Sequence, residues 1–116
     1  MAEDPVLRTM LFDFYGELLT DKQREYFDLH YNEDLSLAEI AALTGISRQG
    51  VWDIIKRAEA TLKEIEAKTG LVARFAARRE ALAGIENRLS ALLDSPDAAA
   101  RRISREVIDA LRGLDD

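Results

Sequence analysis

The chain has 116 residues, no cysteine and a formal net charge of -6, which excludes two large separate cores, disulfides, thiolate metal sites and a cysteine nucleophile. Hydrophobic residues at 47% and charged residues at 33%, with 6 Gly and 2 Pro, give the profile of a folded helical chain rather than a disordered one. The negative charge argues against indiscriminate coating of nucleic acid, because non-specific binding rests on phosphate neutralisation.

The first helix is expected to open at Asp4-Pro5, with Asp as N-cap and Pro at the first helical position, and to end near Leu19. Leu7, Met10, Leu11, Phe14 and Leu18 recur along it at helical spacing. Thr20-Asp21-Lys22-Gln23 reads as a capping box for a second helix to about Tyr31. Asn32, Glu33 and Asp34 break that pattern. Ser36-Leu37-Ala38-Glu39 is a second capping box, opening a short third helix that ends before Gly45. Ser47 then caps a fourth helix, on which Val51, Ile54, Ile55, Ala58, Leu62 and Ile65 share one face, and Gly70 stops it.

Beyond Gly70 the character of the chain changes. Residues 1 to 70 carry 8 Lys+Arg against 14 Asp+Glu, whereas residues 71 to 116 carry 8 of each, and all eight of those cations are Arg. Planar guanidinium is the better phosphate and base-stacking group. Leu71, Phe75, Leu82, Ile85, Leu89 and Leu92 keep a heptad-like spacing interrupted by Arg78, which predicts a long amphipathic helix. Ser95-Pro96-Asp97 breaks it. A last helix is expected on Ile103, Val107, Ala110, Leu111 and Leu114, with Arg101, Arg102 and Arg105 on its outer face. The prediction is an all-α chain of six helices and no strands, with a three- or four-helix bundle at residues 1 to 70 and a C-terminal helical extension at residues 71 to 116.

The informative stretch is LSLAEIAALTGISRQGVWDIIKRAEATL, residues 35 to 62, where two capped helices flank Leu43-Thr44-Gly45-Ile46. A helix-turn-helix needs small residues at the crossing, a residue tolerant of left-handed backbone in the turn, and an apolar residue after it. Ala41 or Ala42, Gly45 and Ile46 meet those needs, with Ile40, Leu43, Ile46, Val51 and Ile55 as the expected shared core. The opposite face of the fourth helix would present Gln49, Trp52, Asp53, Lys56 and Arg57, with Ser47 and Arg48 at its N-terminal end. A helix entering a groove places its N-terminal residues on base edges while its amide end and cations hold phosphates. These seven residues are the candidate nucleic-acid contacts. Arg74, Arg78, Arg79, Arg101, Arg102 and Arg105 are candidate auxiliary basic contacts.

Residues 20 to 62 resemble the helix-turn-helix of region 4 of bacterial sigma factors, and residues 5 to 75 resemble the YlxM-like family, small proteins encoded beside the signal recognition particle GTPase. The resemblance is carried by Leu19-Thr20-Asp21-Lys22-Gln23, by Tyr31 through Ala41, and above all by Ile46-Ser47-Arg48-Gln49-Gly50-Val51-Trp52-Asp53 with Ile55-Lys56-Arg57. It implies a helical regulatory protein acting in, or together with, the signal recognition particle pathway, with the particle's RNA and/or its GTPase as partner. The sequence departs from a duplex reader at three points. Gly50 lies inside the recognition helix at a cost of about 1 kcal/mol relative to Ala, for close approach of a partner or for packing against the third helix. Trp52 suits stacking on an unpaired base or anchoring in a protein pocket, and Asp53 repels phosphate.

An enzyme is not expected, since no Gly-rich phosphate loop exists and the acidic pair Asp13 and Glu17 and the ion pair Glu64 and Lys68 read as helix-surface decoration. His30, the single histidine, has no clustered ligands, so neither metal nor cofactor is expected, and Glu33 and Asp34 beside it read as a solvated loop. The N-terminus lacks a signal peptide's basic start and apolar run, and no stretch approaches the ~18 apolar residues of a membrane span. A cytoplasmic protein without membrane insertion is therefore expected. A homodimer is favoured, either through the first helix, if Phe12 or Tyr15 projects outward, or through the seam of the 71 to 93 helix. The competing readings are a dimeric transcription regulator on duplex DNA, with half-sites about one helical turn apart, and a protein-interaction module that has lost nucleic-acid binding.

Overall fold

The computed structural model describes residues 4 to 114. Among them are six α-helices and no strand: α1 (Pro5–Tyr15), α2 (Asp21–Tyr31), α3 (Leu37–Thr44), α4 (Arg48–Thr69), α5 (Leu71–Ser90) and α6 (Ala98–Gly113). Short 3-10 turns at Gly16–Leu18 and Ala91–Asp94 follow α1 and α5. The expected first helix is thus four residues shorter as an α-helix, and its last turn tightens where Gly16 sits against the Phe12 ring.

The caps read from the sequence are present. Thr20 Oγ1 accepts from the Gln23 amide at 3.2 Å while the Gln23 side chain accepts from the Thr20 amide at 3.1 Å. Ser36 and Glu39 repeat the arrangement at 3.1 and 2.9 Å. Each box satisfies two amide donors that a helix N-terminus would otherwise leave without partners. Between α2 and α3, Asp34 takes a left-handed φ of 60°, and the Leu35 amide donates back to the Leu29 carbonyl at 3.0 Å.

The polypeptide forms two compact units, Met1–Val72 and Ala73–Asp116. In the first, α4 is the spine, and its buried face carries Val51, Ile55, Ala58 and Leu62 as the periodicity predicts. The C-terminal half of that face packs with Leu11, Tyr15, Leu19, Phe27 and Val72; the N-terminal half packs with Tyr26 and Ile40. Phe12 stacks on Phe27 at 4.8 Å and Tyr15 is buried, so neither is available as the outward dimer anchor considered above. The Tyr15 hydroxyl donates to Glu66 Oε1 at 2.6 Å, and the same oxygen accepts from the Val72 amide at 3.0 Å. These bonds tie α1, the end of α4 and the start of α5.

Two core expectations are corrected. Leu43, expected in the shared core, is 70% exposed. Ile40 and the half-buried Leu37, Ala41 and Thr44 define the packed side of α3, and at 100° per residue Leu43 falls on the far side of Ile40 from them. On α6 the buried residues are Ser104 and Ile108; of the five apolar residues that marked the helix in the sequence, Leu111 is half-buried while Ile103, Val107, Ala110 and Leu114 are exposed. Packing on the 3-10 turn before the helix selects the adjacent stripe. On α5, Leu82 and Leu89 are half-buried while Leu71, Phe75, Ile85 and Leu92 are exposed; an Arg112–Glu86 ion pair at 2.6 Å joins α5 to α6.

Candidate nucleic-acid interface

The turn between α3 and α4 is built by three short-range devices. Gly45 caps α3 at φ 76°, with its amide donating to the Ala41 carbonyl at 2.9 Å. A Cβ there would meet nothing within 4 Å, so the backbone conformation alone demands glycine. Thr44 Oγ1 donates to the Ile40 carbonyl at 2.8 Å. Ser47 Oγ accepts from the Gly50 amide at 3.0 Å and starts α4.

Gly50 has a local cause. A Cβ on it would lie 2.7 Å from Ile46 Cγ2 and 3.1 Å from Ser47 Oγ. Within the chain the close approach comes from the turn's own isoleucine and cap rather than from α3. Ile46 can therefore fold back into the core beside Ile40 and Val51, which fixes the angle at which α4 leaves the turn.

A shallow groove lies in front of this turn, lined by His30, Ser36, Leu37, Ala38, Ser47, Arg48, Gln49 and Trp52. The N-terminal ends of both α3 and α4 border it, and both helix dipoles present their positive ends there. Four of the seven candidate contacts, Ser47, Arg48, Gln49 and Trp52, line it; Asp53, Lys56 and Arg57 continue along the exposed face of α4. Trp52, expected exposed, is half-buried. Its indole meets the His30 ring edge-on at 6.1 Å and carries Lys56 Nζ 5.0 Å from its centroid.

The charges on this face are not equally available. Gln49 Nε2 donates to Asp53 Oδ1 at 2.9 Å, so the amide and the carboxylate occupy one another. Lys56 pairs with Glu59 at 3.5 Å, and Glu59, 5% exposed, also accepts from the Tyr31 hydroxyl. A buried carboxylate held from two sides anchors the lysine over the indole. Arg48 and Arg57 are exposed and have no ion pair or side-chain hydrogen bond among the described residues. They are the cations ready to meet an outside anion.

His30 and Glu59 are the members that sequence reading missed. His30, read from the sequence only as a lone histidine without clustered ligands, is half-buried, and its Nδ1 lies 2.8 Å from the Leu35 carbonyl. A carbonyl only accepts, so Nδ1 carries the proton and Nε2 is left as the acceptor of the neutral ring. The signal for Glu59 was available: it falls between Ile55 and Leu62 on the apolar period of α4.

The auxiliary arginines belong to the second unit, and all are exposed. Arg74, Arg78 and Arg79 lie on α5, where Arg79 sits 5.6 Å over Phe75. Arg101, Arg102 and Arg105 line a shallow groove on α6, and Arg101 donates to the Ser95 carbonyl at 2.7 Å. Among the described residues no group of three or more His, Cys, Asp or Glu could hold a metal, and no helix is long and apolar enough to cross a membrane.

Two capped helices around a left-handed glycine, sharing Ile40, Ile46, Val51 and Ile55 as a core, define a helix-turn-helix protein. Comparison with known proteins gives the family: residues 3–99 match the model of UPF0122, described as "Putative helix-turn-helix protein, YlxM / p13 like". The chain belongs to this family. It is 41% identical over 115 residues to a UPF0122 protein of Bacillus cereus (strain AH187), covering 99% of this chain and 100% of that relative. It is 57% identical over 74 residues to one of Thermoanaerobacter sp. (strain X514), covering 64% of this chain. The match spans 63% of the Thermoanaerobacter protein's length.

Proposed function

We propose that the protein is a non-enzymatic, cytoplasmic regulator that binds structured RNA, as an accessory factor of the signal recognition particle pathway. On this reading it engages the particle's RNA, alone or with its GTPase, through the N-terminal face of α4. The observation that carries the nucleic-acid reading is the groove itself, where an indole wall and an unpaired arginine lie at the N-terminal ends of two helices. An anion and an unpaired base are the two chemistries such a groove accommodates together.

Duplex readout is less well supported by the same residues. A glutamine that reads adenine uses its amide bidentately, and the Gln49 amide is engaged with Asp53. Lys56 is held between Glu59 and Trp52 rather than extended toward a phosphate. The particle as target rests on the family's gene neighbourhood, which the sequence resemblance implies. A duplex-binding regulator remains the second reading, favoured by the turn geometry and by Arg48 at the start of α4.

The test is a titration of the purified chain, at physiological salt, against signal recognition particle RNA with and without its GTPase, and against a random DNA duplex. Selective binding to the RNA or its complex, weakened at least ~10-fold by Arg48→Ala with Lys56→Ala, is the expected result. The emission of Trp52, the chain's single tryptophan, should quench or shift on saturation. Preference for the duplex would overturn the RNA reading, and unchanged affinity in the double variant would overturn the α4 site.

A further inference from the structure

His30 brings to the α4 groove an acceptor whose role the chain itself fixes. Its ring is part of the groove wall, and Nδ1 is committed to the Leu35 carbonyl at 2.8 Å. That loop is held in turn, because the Leu35 amide donates to the Leu29 carbonyl at 3.0 Å. Turning the ring over would put a carbon where Nδ1 stands and lose the bond. Nε2 has no hydrogen-bond partner among the described residues, and none of their buried side-chain nitrogens or oxygens lacks one. Nε2 is therefore open to solvent, and in the neutral ring it only accepts.

The other polar side chains of the groove do not offer this. Arg48 only donates. The Ser36 and Ser47 hydroxyl oxygens already accept from the Glu39 and Gly50 amides, at 3.1 and 3.0 Å. Gln49 is exposed, and its side chain is drawn to Asp53 at 2.9 Å. The imidazole also stands at 78° to the indole of Trp52. A base lying flat on that indole cannot stack on His30 as well, which leaves the imidazole to act through its nitrogen.

We propose that His30 is a specificity-determining residue of this groove, selecting unpaired bases with an exocyclic amine, cytosine and adenine, over those with a carbonyl at the same ring position, uracil and hypoxanthine. The amine donates to Nε2. A carbonyl oxygen sets one lone pair against another, and the only ring N–H of uracil lies between two such oxygens. An acceptor desolvated against a second acceptor loses its bond to water and gains none. This inference rests on the reading of the groove as an RNA site and adds which bases the site accepts.

The test titrates ribonucleotide hexamers against the full chain in mildly alkaline buffer, followed through Trp52 emission. Hexacytidine is compared with hexauridine, and hexaadenosine with hexainosine, because the members of each pair offer the same ring system for stacking. The amine-bearing member should bind about 3- to 10-fold tighter. His30→Phe, which keeps an aromatic ring beside Trp52, should abolish both preferences, while Arg48→Ala should weaken all the hexamers and leave the preferences in place. The chain has one histidine, so its modification by diethyl pyrocarbonate can be followed without any substitution. Hexacytidine should slow that modification more than hexauridine does at equal occupancy, a result that does not depend on the variant folding. Equal affinities within each pair, preferences that survive His30→Phe, or equal protection by the two pyrimidine hexamers would each overturn the proposal. Binding that needs Arg48 but ignores the base overturns this proposal and leaves the RNA reading standing. Failure of every hexamer to bind overturns it too, and removes the unpaired base from the RNA reading.

Discussion

Gly50 sets two local terms against each other. A helix interior favours Ala over Gly by about 1 kcal/mol, yet the added methyl would stand 2.7 Å from Ile46 Cγ2. That methyl belongs to a β-branched side chain in the core of the turn, which has little rotamer freedom to yield. Gly50→Ala is therefore expected to destabilise by roughly 1 kcal/mol, since overpacking costs of about 1 to 3 kcal/mol exceed the propensity gain. A raised urea midpoint in chemical denaturation would show that Ile46 moves freely. The glycine could be noticed in the sequence, but its cause could not: Ile46 and Ser47 are its chain neighbours, and only the fold of the turn shows that they crowd it. Glu59 is the opposite case, since its place on the buried period was legible and only its partners, Tyr31 and Lys56, needed coordinates.

Helices α2, α3 and α4 are delimited by signals that act over three or four residues, and the sequence exposed all of them. Thr20, Ser36 and Ser47 cap, and Gly45 and Gly70 stop in left-handed conformation at φ 76° and 64°. Faces were harder. On the long α4 the apolar period averages over many turns and picks out the buried side. The eight-residue α3 offers two turns, too few to tell Leu43 from Ala41 as the inward neighbour of Ile40. On α6 two apolar stripes lie side by side, and periodicity alone does not say which one the chain covers. The α3 cap also responds to acid. The Ser36 backbone amide, then its hydroxyl, hold the Glu39 carboxyl below its ordinary range. A carboxyl with a lowered folded pKa stabilises above its unfolded value and loses that contribution as the pH falls through its folded one. The α3 amides should therefore exchange faster with solvent hydrogen as the pH falls below the ordinary carboxylate range and the carboxyl protonates. In Glu39→Gln, amide exchange that has been corrected for its intrinsic pH dependence should lose this acid step. If the step survives that substitution, its origin lies elsewhere than in the Ser36 box.

At the scale of the whole molecule, the net charge of -6 limits how the protein can meet a polyanion. With Arg48 and Arg57 free and Lys56 partly engaged, the α4 face can neutralise only two or three phosphates. Plotted as log affinity against log salt, RNA binding should then fall with a slope of about -1.5 to -2.5. A slope near -6 or steeper would bring the arginines of α5 and α6 into the contact. The architecture of caps, turn and α4 face was readable because it is local in sequence. The groove was not, because it needs His30 of α2 beside Trp52 of α4, and nothing in the intervening residues announces that meeting. The bond between His30 Nδ1 and the Leu35 carbonyl has a spectroscopic corollary. The chain has a single imidazole, so the imidazole nitrogen region of its magnetic resonance spectrum contains one pair of signals. In the neutral ring the proton resides on Nδ1, the rarer tautomer of free histidine in water. The turn that brings α3 alongside α2 can therefore be monitored in the intact protein from that one pair, without assigning any other resonance.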